Sequence, residues 1–407
     1  MTITRRTLVG TAAALSTLPI ARARAQARPK IRIGVLTDLS GTYRDNTGPN
    51  SVLCSRLAAQ EFNPSSRGFD VEIIEADHQN KPDNAASIAR QWFDSGVDVV
   101  ADVPTSSVAL AVAQVAKEKD KIMLNASATT TALTDSQCSP NTIVWSFDTY
   151  MMAVSQGGTV VKQGGKDWFF ITANYAFGQI LEEQTSKLVR DAGGTVRGAL
   201  RYPFPDTTDF SSYLQQAQAS GAKILGLANA GGDTVNCVKQ AHEFGINQSM
   251  KIVPLLIFLT DVHSIGQDIA QGLYCTNSFY WDRTDQTRAF AKRVLAQPGG
   301  KVPNMAHASS YSSVLHYLKT VAAMGAEDAK KSGRATVARM KSIPTEDDAF
   351  GKGSIRADGR GVFPGYLWEV KKPSESKSEW DLYTPIATTP ASEVLHPLAD
   401  ACKFPTV

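Results

Sequence analysis

Ile31-Arg32-Ile33-Gly34-Val35-Leu36, followed by Thr37-Asp38-Leu39-Ser40-Gly41-Thr42-Tyr43, decides the fold. The first half is a short apolar run, and the second is the small, polar chemistry of a chain reversal. A helical pattern then spans about Asn50 to Phe62. The alternation repeats as strand Val71–Ala76, helix Asp83–Ser95, strand Val97–Val103, helix Ser106–Lys119 and strand Ile122–Asn125. Short apolar strands between amphipathic helices predict a parallel sheet covered on both faces.

The pattern then restarts. Helix Tyr150–Gln163 leads into strand Trp168–Thr172, helix Gly178–Ala192, strand Thr195–Tyr202 and helix Phe210–Ser220. Strand Ile224–Ala228, helix Asp233–Phe244 and strand Lys251–Ile257 complete the second run. Turns such as Ser95-Gly96-Val97, Ala192-Gly193-Gly194 and Ser220-Gly221-Ala222 place glycine where a helix ends, as a left-handed cap requires. A chain of 407 residues exceeds what one hydrophobic core serves. The expected fold class is therefore α/β with two doubly wound lobes. Helix Met305–Met324 is expected to pack back on the first lobe, and the tail from Gly351 reads as short strands and hairpins.

The N-terminus carries its own message. Arg5-Arg6 precedes an apolar stretch from Leu8 to Ile20, and Ala23-Arg24-Ala25 fits an A-x-A cleavage site. That is the anatomy of a removable export signal over residues 1–25. The arginine pair resembles a twin-arginine signal, with an ordinary secretory signal as the alternative. The apolar stretch is shorter than the ~20 residues a spanning helix needs. The expected location is the periplasm. The whole chain has a formal charge of +3, and the leader holds four arginines and no acid, so removing it takes +3 down by 4 to −1. A near-neutral chain has no electrostatic footprint for nucleic acid.

Several chemistries are missing. There is no G-x-x-x-x-G-K-[ST] phosphate loop, no G-x-S-x-G elbow and no G-x-G-x-x-G after the first strand. The six histidines form no i, i+4 pair, so no zinc helix is expected. A non-enzymatic protein without cofactor or metal is the expectation. Of the five cysteines, Cys54 and Cys237 fall on predicted helices and read as buried thiols. Spacing does not fix a pairing. Cys138 and Cys402, both in loop-like segments, are the expected disulfide.

Four stretches carry a family resemblance: Ile33 to Gly41, Ser127-Ala128-Thr129-Thr130-Thr131-Ala132-Leu133-Thr134, Asn174-Tyr175-Ala176-Phe177-Gly178 and Ser278-Phe279-Tyr280-Trp281-Asp282. In this order they resemble the branched-chain amino-acid type of periplasmic binding proteins, over essentially the whole mature chain. The resemblance implies two lobes joined by three hinge crossovers, with ligand in the cleft between them. It implies a monomer that hands a small-molecule solute to an inner-membrane ABC permease and its ATPases. Residues 29–148 plus about 282–355 would form lobe 1, and 149–281 plus about 356–407 lobe 2. A sensory role, with the same clamp feeding a membrane sensor, is the alternative of another class.

Ligands of parallel α/β sheets sit beyond the carboxyl ends of the strands, where helix N-termini present free amides. Thr105 and Ser106 follow one first-lobe strand, and Ser127, Ala128 and Thr129 follow another. Together they make a candidate anion seat, although the same hydroxyls also read as helix caps. The opposing jaw would come from Tyr175, Phe177, Asn229 and Phe258, with Tyr43 in the loop after the first strand and Tyr150 and Tyr280 near the first and second crossovers. Packing between lobes is the alternative role for each aromatic.

One departure from the family pattern bears on the ligand. Amino-acid binders of this type place a second-lobe carboxylate against the ligand ammonium, after the strand matching Lys251–Ile257. Here Ile252 to Thr260 contains no acid before Asp261. A desolvated ammonium without a partner costs several kcal/mol, a large share of the ~8 kcal/mol in a micromolar complex. The expected ligand is a small aromatic or hydrophobic carboxylate, and the chain also resembles the family branch that binds benzoate-like acids. Branched-chain or other apolar amino acids are the alternative, with amides behind them; Asp233 or Asp261 swinging inward would restore an ammonium site.

Overall fold

The computed structural model describes residues 28–404; the leader at 1–25 lies outside them. Strands β1 (Lys30–Thr37), β2 (Asp70–Asp77), β3 (Val99–Asp102), β4 (Ile122–Asn125) and β5 (Thr142–Val144) form a parallel sheet in the order β2-β1-β3-β4-β5. Side chains alternate across it. Ile31, Ile33, Val99, Ala101 and Leu124 face a layer made by helices Gly48–Phe62 and Met305–Met324. Leu36, Val100 and Met123 face helices Pro82–Asp94 and Ser106–Glu118. Burial on both faces is why β3 and β4 read as continuous apolar runs.

The second body repeats the plan. Strands β6 (Asp167–Ala173), β7 (Thr195–Tyr202), β8 (Ile224–Ala228) and β9 (Lys251–Pro254) pair in the order β7-β6-β8-β9, all parallel. Phe169, Ile171, Leu225 and Leu227 pack against Phe210, Leu214, Cys237 and Ala241, while Trp168 and Phe170 face Leu181 and Val189. Gly193, after helix Ala176–Asp191, holds φ 71° with open space around a would-be Cβ. Backbone conformation, not room, selects glycine there.

Chain order continues with β10 (Tyr274–Asn277), β11 (Thr345–Asp347), β12 (Gly351–Ile355), β13 (Gly361–Val362), β14 (Gly365–Val370) and β15 (Tyr383–Thr389). An antiparallel sheet β10-β14-β15 extends the second body, where Trp368, Val370 and Tyr383 join its core. The small sheet β11-β12-β13 sits on the first body against helices Met305–Met324 and Gly333–Ser342. The chain passes between bodies after β5, after β10 and after β13. The stretch expected to belong wholly to the second lobe from about residue 356 is thus divided between them over its described residues, 356–404. Arg360 bridges to Val144 of the first sheet, β14 and β15 lie on the second body, and Cys402 returns to bond Cys138. That disulfide has an S–S distance of 2.01 Å, and Cys54, Cys237 and Cys275 are buried free thiols.

The first crossing is pinned by a buried ion pair. Arg360 Nε donates to Asp148 Oδ2 at 2.6 Å and its Nη1 to the carbonyls of Trp145 and Gly361, with both charged side chains fully buried. Asp148 also caps the following helix through the Met151 amide. The predicted helix Tyr150–Gln163 is interrupted. Thr149–Met152 and Gly158–Lys162 are α-helical, and Ala153–Gly157 forms a π turn. Inside that turn Gln156 donates to the carbonyls of Pro254 and Tyr274 and accepts from the Thr276 amide. The predicted strand Lys251–Ile257 likewise stops at Pro254, beyond which the chain bends toward the other body.

Candidate functional site

Each sheet reverses its strand order at one place: between β1 and β3 in the first, and between β6 and β8 in the second. Loops leaving neighbouring strands in opposite directions open a crevice at such a point. The two crevices face each other and share one pocket, in which the side chains leave little free space.

Asp38 builds the first-body rim. Its carboxylate accepts the amides of Ser40 (3.2 Å), Gly41 (2.6 Å) and Tyr43 (2.9 Å), and Asn80 Nδ2 at 2.7 Å. Asn80 Oδ1 in turn accepts the Thr105 hydroxyl. One buried acid therefore ties together the loops after β1, β2 and β3 and aims Tyr43 into the cleft. Asn125 does the same after β4, accepting the Ala128 amide at 2.9 Å and donating to the Ala128 carbonyl at 2.6 Å.

Thr105, Ser106, Ser127, Ala128 and Thr129 line the first-body wall with Pro104. Thr105 stands at the cap position of helix Ser106–Glu118 and makes no capping bond with its side chain. The helix's first amides thus stay open toward the cavity, as in an anion-binding helix start. Ser106 Oγ accepts the Thr130 amide at 3.2 Å, while the Thr129 amide has no partner among the described residues. Ala128 contributes its methyl group, its amide being given to Asn125.

Tyr175, Phe177, Ala230, Leu256 and Phe258 form the opposite wall. Tyr43 and Tyr175 meet across the cleft, hydroxyl to hydroxyl at 2.5 Å, and both stack on Phe204, with centroids 5.6 and 4.4 Å away. Burial pushes both phenols upward, so they stay neutral. Phe258 meets Phe147 edge-on at 6.1 Å. Gly231, at φ 61°, brings its backbone against Thr42, whose carbonyl accepts the Gly232 amide at 3.0 Å.

No acidic, basic or histidine side chain lines this cavity among the described residues. Asp233 accepts Thr42 Oγ1 at 3.1 Å and the Tyr202 hydroxyl at 2.7 Å. Asp261 accepts Asn46 Nδ2 at 2.8 Å and the Phe258 amide at 2.9 Å. Both are buried, and desolvation lifts each to about 6. They bond from one body to the other at the rim rather than facing the cavity. Among the described residues no cluster of three or more His, Cys, Asp or Glu side chains could hold a metal ion.

Three expected residues stand outside the lining. Tyr150 turns toward the tail, edge-on to His396. Asn229 points inward, donating to Cys237 Sγ and accepting Thr234 Oγ1 at 2.7 Å, so it shapes the turn into helix Gly232–Glu243. Tyr280 is buried between Trp368 and Tyr383 in the antiparallel sheet. Sequence reasoning missed Asn46, Thr47, Pro104, Ala230 and Leu256. Asn46 and Thr47 lie one turn beyond Tyr43, and their signal was adjacency to that loop.

A family profile described as periplasmic binding protein matches residues 30–377. The chain belongs to the periplasmic binding protein family. It is similar to a periplasmic binding protein from Burkholderia mallei, with 44% identity over 92% of this chain and 98% of that one and a TM-score of 0.87. A branched chain amino acid ABC transporter periplasmic ligand-binding protein from Burkholderia xenovorans LB400 is 36% identical over 90% of this chain and 97% of its own, with a TM-score of 0.77. A solute binding protein of an ABC transporter from R. palustris, in complex with 4-hydroxybenzoate, shares the fold at 23% identity, covering 89% of this chain and 97% of that chain with a TM-score of 0.78.

Proposed function

We propose that this periplasmic binding protein is the solute-capturing component of an ABC importer, closing two lobes around a small aromatic or hydrophobic carboxylate. The observation that carries the reading is the cavity lining: hydroxyls and open amides on one wall, Tyr, Phe and Leu on the other, and no acid facing inward. A carboxylate seated on Ser106, Ser127 and Thr129 gains charge-assisted hydrogen bonds of roughly 1.5–3 kcal/mol each. A ring between Tyr175, Phe177 and Phe258 adds about 0.5–1.5 kcal/mol per good ring contact. An ammonium finds no carboxylate. The R. palustris complex indicates that this fold accommodates such an acid.

The leader delivers the protein to the periplasm. Ligand bridges the lobes there and favours the closed form, because only that form makes both sets of contacts. A permease with its ATPases then takes the solute from the closed clamp. The second reading, an apolar amino acid, is favoured by the Burkholderia xenovorans relative; it requires Asp233 or Asp261 to give up a bond across the cleft.

A thermal-shift screen separates the two. Ligand at 100 times its Kd stabilises by about 2.7 kcal/mol, so benzoate and 4-hydroxybenzoate should raise the melting temperature while leucine and isoleucine leave it unchanged. Stabilisation by leucine without stabilisation by either aromatic acid refutes the carboxylate reading.

A further inference from the structure

We propose that Asp102, beneath the cavity, is a positioning residue that couples capture of a carboxylate to uptake of one proton. The inference rests on the carboxylate reading above and adds to it a group outside the lining. β3 ends on Asp102 with φ 74°, and Val103 and Thr105 follow at 56° and 75°. Left-handed backbone at β-branched residues is a genuine outlier, and here it turns a carboxylate under the anion seat. Asp102 is fully buried. Its Oδ1 accepts the hydroxyl of Ser127, which lines the cavity, and that of Ser310 at 3.4 Å. Its Oδ2 makes no hydrogen bond of good geometry among the described residues, and neither does the Ser51 hydroxyl, although the Ser51 and Thr37 hydroxyls lie close enough to favour its ionised form.

The groups packed around Asp102 supply no cation. β1 contributes Thr37, helix Gly48–Phe62 contributes Ser51 and Cys54, and helix Met305–Met324 contributes Ser310. Burial, with the charge of Asp102, pushes the Cys54 thiol upward, so it stays protonated. Desolvation lifts Asp102 itself to about 6 against the pull of its hydroxyl partners.

A serine hydroxyl has one proton to give. When Asp102 is ionised, Ser127 gives that proton to it and turns lone pairs toward the cavity. An incoming carboxylate also offers only lone pairs, and its charge lies one side chain away from that of Asp102. A proton taken from solvent onto Oδ2 removes the repulsion. It supplies a donor for the Ser51 hydroxyl and releases Ser127 to donate to the ligand. Carboxylate affinity therefore falls as pH rises above about 6.

Calorimetric titration of benzoate, which stays ionised throughout, tests this at pH 5.5–8 in buffers of different ionisation enthalpy. Asp233 and Asp261 titrate in the same range, but they are common to both proteins compared, so the readout is a difference. Near pH 7 the wild type should take up about one proton more per benzoate than Asp102→Asn, and its Kd should climb about fiftyfold more between pH 6 and pH 8. Equal uptake and equal slopes overturn the proposal. Should Asp102→Asn not fold, a wild type that binds benzoate with no proton uptake overturns it alone. If neither benzoate nor 4-hydroxybenzoate binds at any pH, the carboxylate reading falls and the coupling falls with it; binding without uptake removes only the coupling.

Discussion

Gly231→Ala should hold the clamp open. Gly231 has φ 61° and ψ −138°, a region close to glycine-only. An added Cβ would lie 2.5 Å from the Thr42 carbonyl oxygen and 2.9 Å from Tyr43 Cδ1, about 1 Å inside normal contact. Neither neighbour has room to retreat, because Asp38 anchors the Tyr43 amide and Thr42 is the next residue along. The lobes must separate, which breaks the Gly232–Thr42, Thr42–Asp233 and Tyr43–Tyr175 bonds. At about 0.5–1.5 kcal/mol each, losing most of this set costs about 2 kcal/mol, a rise in Kd of about 30-fold. The backbone strain acts in open and closed forms alike, so it lowers the melting temperature without touching affinity. Calorimetry with benzoate gives the Kd, and small-angle scattering reports whether ligand still compacts the molecule. A Kd within about twofold of wild type, with normal compaction, refutes closure at this contact.

Three further outcomes follow from the same geometry. Thr129→Val keeps the shape of the seat and the backbone amide but removes the hydroxyl donor, so benzoate affinity should drop about tenfold or more with the melting temperature unchanged; an unchanged Kd takes the Thr129 hydroxyl out of the site. Replacing Cys138 and Cys402 together with Ser should cost about 2–5 kcal/mol in denaturant unfolding, because the bond closes a loop spanning 264 residues; equal stability would show that the tail is not a staple. Asp233 is raised to about 6 by burial, above its unfolded value of about 3.9. The folded state thus holds the extra proton, and this group's contribution is most favourable below about pH 4 and is lost as pH rises through 6. His78, His307 and His316, all lowered by burial, pull the opposite way. The test is therefore the difference between wild type and Asp233→Asn, which should shift in favour of the variant between pH 4 and pH 7; a constant difference refutes it.

The sheets were legible because their signal is local. The strand expected at Ile224–Ala228 has the same bounds in the structure, and that at Ile31–Leu36 gains one residue at each end. Where the reading failed, a distant partner had overridden the local pattern. β5 is only three residues long, and its place depends on β4 beside it and Arg360 behind it. The π turn at Ala153–Gly157 surrounds Gln156, whose amide serves backbone groups of two distant segments. No window of sequence around residue 156 contains those partners.

The site divides along the same line. Residues directly after a strand, such as Thr105, Ser127 and Tyr175, lie on the cavity because sheet topology alone puts them there. Asn229 shows the limit. It is next to Ala230, which lines the cavity, yet its amide turns inward to Thr234 and Cys237 because a buried amide must be satisfied. Asp233 and Asp261 make the point for function. Sequence shows two acids near the place where an ammonium would need one, and only the assembled lobes show that Thr42 and Asn46 of the opposite body already occupy them. An amine ligand would have to compete with closure for those carboxylates. A carboxylate ligand would leave them to hold the lobes together, so on the proposed reading the same two residues would disfavour an amine and stabilise the closed form around an acid.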